Sequence, residues 1–446
     1  MRSKRRLILF VAAFIVVFGF LTTAAPLFAA NKEKVLYNFQ DNGKDGNSPQ
    51  VGLIFDEAGN LFGTTQFGGT GECRDFNGNV VGCGTVFELI HHANGHWTEK
   101  LLHSFRGKDG AWPLGGLIFD VAGNLYGTTS RGGAYSPCCN DDFGGTVFEL
   151  TPGANGKWKE KVLHNFKNNG KDGSGPTASL TFDRIGNLYG TTSFGGASGS
   201  GCGGYGCGTV FELVHDTNGM WSERILLNFM NDGSDGYNPH AQLIFDTAGN
   251  LYGTTEGSNV FGGGTAFQLT LGANGKWTEN VLNSFGDNDG AYPLDGLIVD
   301  GAGNLYGTTW QGGTNYGTVF QLSPTGAGGL WTENVLHNFD SNGKDGYYPE
   351  DSLILDAAGN LYGTASAGGS HNYGIVFRLK PAANGTWRED VLHNFGFSNG
   401  GVGPAGSVIL GAAGNLYGTT VAGGTGQCQD DYGDIIGCGT VFEITP

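Results

Sequence analysis

Residues 123–129 read Gly-Asn-Leu-Tyr-Gly-Thr-Thr, and this string keeps returning along the chain. Close copies begin at Gly59, Gly123, Gly186, Gly249, Gly303, Gly359 and Gly414, at intervals of 64, 63, 63, 54, 56 and 55 residues. Two other strings keep step with it. Gly-Thr-Val-Phe-Glu-Leu or a variant begins at Gly84, Gly145, Gly208, Gly264, Gly317, Gly374 and Gly439. Val-Leu-His-Asn-Phe or a variant begins at Val35, Leu101, Val162, Ile225, Val281, Val335 and Val391. Three strings, each in seven copies, define an internal repeat, and a repeat period decides the architecture before any local reading does.

Each repeat reads as four strands. An apolar run (Leu-Ile-Phe-Asp at 53–56) turns at Ala-Gly-Asn into the Leu-aromatic-Gly-Thr-Thr segment. The Gly-Thr-Val-Phe-Glu-Leu string is the third strand, and a segment from a Trp to the His-Asn-Phe end (97–105) is the fourth. Asn-Gly and Asp-Gly pairs supply the positive φ that tight hairpins need. Four short antiparallel strands repeated radially make a propeller blade. The expectation is an all-β, seven-bladed β-propeller that fills a single domain over 31–446. The phase of the repeat adds closure. The mature chain opens on a fourth strand at 35–39 and ends on a third strand at 439–444. The N-terminal strand should therefore complete the seventh blade and leave no open edge; a solenoid would need distinct caps, and none is present.

The pattern resembles the GloVer repeat of the "choice-of-anchor" secreted bacterial proteins, on the strength of the seven paired GNLYGTT-like and GTVFEL-like strings. The resemblance spans nearly the whole mature chain. It implies export and a propeller-like repeat structure, and it implies no particular reaction. A C-terminal anchoring region is expected in many members, whereas this chain stops at Pro446 just after its last third strand, which favours free secretion over surface attachment.

The N-terminus agrees with export. Arg2, Lys4, Arg5 and Arg6 precede an apolar run at 7–20 and then the small residues Ala24, Ala25, Ala29 and Ala30. That order predicts a secretory signal peptide over 1–30; a retained N-terminal anchor is the rival, disfavoured because the strongly apolar core is shorter than the ~20 residues of a span. No other segment is apolar enough for membrane insertion of the mature chain. A secreted, extracellular monomer is expected, with periplasm or cell surface as alternatives. The mature chain carries 20 basic against 41 acidic side chains, a net of −21. That balance argues against nucleic acid and anionic membranes.

Connectivity separates two faces. Turns between the first and second strands, and between the third and fourth, share a face and are short and alike. Loops between the second and third strands share the other face with the links between blades. These loops hold 18, 15, 15, 8, 7, 8 and 18 residues, so after closure the long ones form one arc. Variable loops on a rigid scaffold are where function tends to sit, and a lopsided cleft is expected there. All eight cysteines lie in the long loops. Disulfides are predicted for Cys73 with Cys83, Cys428 with Cys438, and Cys202 with Cys207, while the adjacent Cys138 and Cys139 pair with each other or elsewhere. The spacings are not those of a zinc site, and no metal site is assigned.

Candidate chemistry is sparse. His103, His164, His337 and His393 occupy one repeated fourth-strand position and read as structural, with Tyr37, Leu227 and Asn283 in other copies. His240 and His371 each stand alone in their segments, which argues against His-based acid–base chemistry. Asp56, Asp120, Asp183, Asp246, Asp300 and Asp356 read as turn caps. Links such as Asp41-Asn42-Gly43-Lys44-Asp45-Gly46 admit calcium, but turn chemistry explains them equally. Loop carboxylates (Glu72, Asp75, Asp141, Asp142, Asp430, Asp431, Asp434) offer a second place for a cation. No cofactor is expected and no catalytic residue is assigned. The binding candidates are aromatic: Trp310 and Trp112, which break the repeat, and Tyr135, Tyr205, Tyr316 and Tyr432 in loops. Aromatic faces beside Asn and Asp suit a sugar ring. The expected function is non-catalytic recognition of glycans or cell-surface polymers. A polysaccharide- or ester-acting hydrolase or lyase using loop carboxylates, and a purely structural matrix protein, are the alternatives, since the fold alone does not choose.

Overall fold

A computed structural model describes residues 32–446 apart from 41, 76, 136–143, 198–201, 203, 234, 259–261, 327–328, 398–399 and 431. The expected signal segment, Cys138, Cys139, Asp141, Asp142 and Asp431 lie outside the described residues. Within them the chain forms seven four-stranded antiparallel sheets arranged as the blades of a propeller. In the first blade the strands are Ile54–Phe55, Leu61–Thr65, Thr85–His91 and Trp97–Ser104, hydrogen-bonded in that order from the axis outwards. The seventh blade contains Gly401–Leu410, Leu416–Gly423 and Thr440–Thr445, and its outer strand is Lys32–Asn38. That N-terminal strand pairs antiparallel with Thr440–Thr445 and closes the ring. No helix among the described residues is long and apolar enough to cross a membrane.

The repeat strings map onto specific packing needs. All five residues of Leu61–Thr65 are buried, because the sheet is covered on both faces by neighbouring blades. Such burial gives an apolar run in place of alternation. The glycine inside the string makes room for a ring: a Cβ on Gly63 would lie 2.7 Å from Phe87 Cζ and 2.8 Å from Leu53 Cδ2. The turn before it is capped as its sequence suggests. Asp56 accepts hydrogen bonds from the Ala58 and Asn60 amides at 2.9 and 2.8 Å, and from the Asn60 side chain at 2.8 Å. Gly59 supplies the left-handed residue of that turn, with φ +84°.

Blades join through aromatic pairs. The Phe that ends one outer strand meets the third-strand Phe of the next blade edge-on, as in Phe39–Phe87 at 5.2 Å and Phe166–Phe211 at 5.1 Å. The same geometry recurs at Phe105–Phe148, Phe229–Phe267, Phe339–Phe377 and Phe395–Phe442, with a tilted version at Phe285–Phe320. Edge-on aromatic pairs are worth about 0.5–1.5 kcal/mol beyond area burial. Each outer-strand Trp then leans on the second strand of the blade before it, as Trp221 does on Tyr126 at 6.3 Å. On the loop face, two-residue ribbons such as Gly46–Asn47 with Phe67–Gly68 bind each link to the loop behind it.

Candidate functional site

A proline recurs in every link, at Pro49, Pro113, Pro176, Pro239, Pro293, Pro349 and Pro404. The residue before it is left-handed throughout: Ser48, Trp112, Asn238, Tyr292 and Tyr348 have φ between 52° and 61°, and glycine fills the position at Gly175 and Gly403. A non-glycine residue in this region costs energy, and a following proline disfavours compact backbone further. The strain persists because each amide is held by the preceding blade, as in Trp112 N to Cys83 O at 2.9 Å and Tyr292 N to Gly263 O at 2.7 Å. This turn delivers the chain to the axis. The residue just after the proline then lines an axial cavity of about 770 Å³ in all seven blades: Gln50, Leu114, Thr177, His240, Leu294, Glu350 and Ala405.

Sevenfold symmetry of the backbone therefore carries six different residue types, leucine twice. Polar groups gather where the third to sixth blades meet the cavity. His240 Nε2 lies 3.1 Å from Glu256 Oε2, and its Nδ1 lies 3.1 Å from Thr177 Oγ1 and 3.2 Å from Ser193 Oγ. The contact with His240 holds the Glu256 carboxyl below its ordinary value. A carboxylate accepts only, so Nε2 carries the proton and Nδ1 accepts from a hydroxyl. The result is a hydroxyl–imidazole–carboxylate chain across two blades. His240 is alone in its own segment; its partners come from other segments.

A second group sits beside it. Asp295 accepts from the Gly296 and Ser352 amides, each at 2.6 Å, and Asp351 accepts from Thr364 Oγ1 at 2.9 Å. Burial pushes Asp351 well above the carboxylate range, and the Asp295 charge adds to it. Glu350 is also raised by burial, against which the Ser366 hydroxyl acts as a donor at 3.1 Å. Protonated carboxyls at a cavity wall can donate hydrogen bonds as well as accept them.

Trp310 opens a row of rings beside this acidic wall. Tyr292 lies 6.2 Å and Tyr348 5.2 Å from it; Tyr347 lies 4.9 Å from Tyr348, and Tyr316 5.5 Å from Tyr347. All five rings are half-buried, on the side with the short loops. The other aromatic candidates are placed elsewhere. Trp112 is only 6% exposed, edge-on to Phe67 at 5.6 Å, with the Arg131 guanidinium 4.9 Å over its ring. Tyr135 is exposed with Lys167 Nζ 4.8 Å over it, and Tyr205 and Tyr432 are exposed on the tall side.

The predicted disulfides Cys73–Cys83, Cys202–Cys207 and Cys428–Cys438 are formed. Their loops turn outwards, away from the axis. Gly69 N donates to Asp45 O at 2.8 Å and Thr70 N to Ser104 Oγ at 2.7 Å, which ties the first loop to the rim. Among the described residues of the four long loops, only Val421 lines the cavity. The cleft expected beside these loops is thus an axial cavity whose polar wall belongs largely to the lower side. Loop carboxylates are used in turns: Asp75 accepts from Asn79 and Asp430 from Asp434. The signal for the cavity lay in the links, in the residue that changes after an unchanging proline.

The sequence matches the Gloeobacter/Verrucomicrobia repeat family over residues 21–202, 142–357 and 316–446, and the chain belongs to that family. No curated protein matches it. Among solved structures it is similar to a putative gluconolactonase at 13% identity, covering 82% of this chain and 95% of the other, with a TM-score of 0.40. It is also similar to a luciferin-regenerating enzyme at 14% identity, covering 74% and 91%, with a TM-score of 0.42.

Proposed function

We propose that this protein is an exported recognition module that takes a sugar unit of a glycan or cell-surface polymer at the mouth of the axial cavity. The observation that carries the reading is the ring row Tyr292–Trp310–Tyr348 beside Glu350, a carboxyl of the cavity wall. A sugar presents apolar C–H faces and a rim of hydroxyls. Stacking on an aromatic ring takes the first, and carboxyls in both protonation states take the second. A cavity of about 770 Å³ lies within the usual range for small-ligand sites. Export is supported by the basic-then-apolar order of residues 1–30 and by three disulfides, which persist in oxidising compartments.

Glycan-array binding of the mature chain, beside Trp310→Ala, is the test. Binding that the variant loses supports the reading; no binding by the wild type overturns it. One observation favours a second reading, a hydrolase for esters or lactones. Thr177, His240 and Glu256 form the chain that lets an imidazole take a proton from a hydroxyl. Turnover of an ester panel by the wild type, abolished in His240→Gln, would support it; equal rates in both would remove it.

A further inference from the structure

The outer rim carries a second set of groups, unrelated to the axial cavity. Two residues after each outer-strand Trp stands a glutamate, at Glu99, Glu160, Glu223, Glu279, Glu333 and Glu389. Each has a buried Oε1 with no hydrogen-bond partner. These glutamates face the seam with the preceding blade, where the repeated fourth-strand position and a link aspartate approach them.

At two seams the three residues converge as a ligand set. His164, Asp172 and Glu223 meet between the second and third blades, and His337, Asp345 and Glu389 between the fifth and sixth, with the ligand atoms of each set all within 4.8 Å of one another. His164 Nε2 lies 3.5 Å from Asp172 Oδ1 and 3.8 Å from Glu223 Oε1. All three of those atoms are buried and without a hydrogen-bond partner. His337 Nε2 lies 3.2 Å from Asp345 Oδ2. Asp345 is 7% exposed, and its Oδ1 is likewise buried and unpartnered. The ligands are oriented from behind. His164 stacks edge-on to Phe166 at 4.7 Å and His337 to Phe339 at 4.8 Å. The spare oxygen of Asp172 accepts from the Lys167 amide at 2.9 Å, and the Asp345 oxygen that faces His337 also accepts from the Asp340 amide at 3.0 Å.

Other seams place other groups at the histidine position. Asn283 occupies the histidine position between the fourth and fifth blades, and its side-chain amide donates to Glu333 at 2.9 Å. Tyr37 donates to Asp45 at 2.9 Å. Between the second and third blades none of the three converging atoms has a partner; between the fifth and sixth His337 pairs with Asp345, while Asp345 Oδ1 and Glu389 Oε1 have none, and a cation would serve both sets.

We propose that these two seams are divalent-cation sites of the zinc class, each formed by one imidazole and two carboxylates from adjacent blades. Zinc–nitrogen and zinc–oxygen bonds of about 2.0–2.2 Å place neighbouring ligands at separations like those seen here. One nitrogen with two oxygens suits zinc better than calcium, which takes six to eight oxygens. A fourth position is left for water. Each ion ties the outer strand of one blade to that of the next, at two seams well apart on the ring.

The test is equilibrium dialysis of the tag-free mature chain against zinc chloride, with metal analysis and melting curves in EDTA and in zinc. Two zinc ions per chain are expected, with a higher melting temperature in zinc. His164→Asn and His337→Asn should each remove one ion, and the double variant both. Asparagine is the residue that this chain itself uses at position 283, so melting in EDTA should stay near that of the wild type. His103→Asn, at a seam where His103 is hydrogen-bonded to Asp109 and Glu160 does not converge with them as closely, should keep both ions. Should the asparagine variants misfold, Glu223→Gln and Glu389→Gln provide the same readout. No bound zinc in the wild type, or two ions retained by the double variant, would overturn the proposal.

Discussion

The loop face has a tall side and a low side, and they divide the work. The tall side, from the seventh blade through the third, holds all three disulfides and the most exposed tyrosines. Its first loop folds outwards onto the rim, and its acidic residues close their own turns. The low side has short loops, and there the buried carboxyls come to the cavity, with the half-buried ring row packed behind Glu350. Short loops leave the axis open, so side chains borne by the links reach it. Length of insertion thus marks elaboration of the surface, while chemistry follows substitutions at a fixed backbone position.

The sharpest way to break this contrast is to unstaple the tall side. Cys73→Ser with Cys83→Ser removes a bridge of sequence separation 10. The expected cost is about 2–3 kcal/mol of stability, read by denaturant melting, with ligand affinity unchanged. Loss of binding in this variant would place the tall side in the site. Next in size is Trp310→Ala on the low side, expected to weaken sugar binding about 10- to 100-fold, or about 1.4–2.8 kcal/mol, with little change in melting temperature.

A third test asks whether buried acidity reaches the rim beyond the cavity. Glu279 is pushed up to about 8, first by burial and then by Asp235 and Asp232. Its folded value lies above its unfolded one, so the folded state keeps a proton that the unfolded chain loses. That stabilisation is complete below about pH 4.5 and is lost as pH rises towards 8. Glu279→Gln should therefore gain about 1 kcal/mol over the wild type at pH 8–9 and little at pH 5, measured by melting in metal-free buffer. A gain independent of pH would refute the assignment. The smallest effect is reserved for Tyr432→Ala. That ring is 93% exposed on the tall side, and its removal should change both stability and binding by less than about 0.5 kcal/mol.

The propeller and its closure were legible because the same packing problem recurs in every blade, and the types of Gly63 and Phe87 solve it in all seven and that of Asp56 in six. The three bridges were legible from bracketing cysteines. The cavity was not, because a residue such as His240 looks solitary along the chain. Only alignment of the seven links on their proline reveals one position occupied by Gln50, Leu114, Thr177, His240, Leu294, Glu350 and Ala405. Trp112 misled for a related reason: it departs from the repeat yet fills a pocket between Phe67 and Arg131. The rim histidines read as structural through repetition, whereas their chemistry depends on glutamates supplied by the following blade.

Ring closure has a consequence for how the molecule comes into being. Lys32–Asn38 pairs with Thr440–Thr445, residues about 400 positions apart. The first strand to be made must wait, edge exposed, for the last. Long-range pairing of this kind is slow and leaves an adhesive edge in the meantime. The clasp therefore forms only when both paired strands are present. A chain cut short before its final strand has two open edges, invites misassembly and presents itself to proteases, while a complete chain locks.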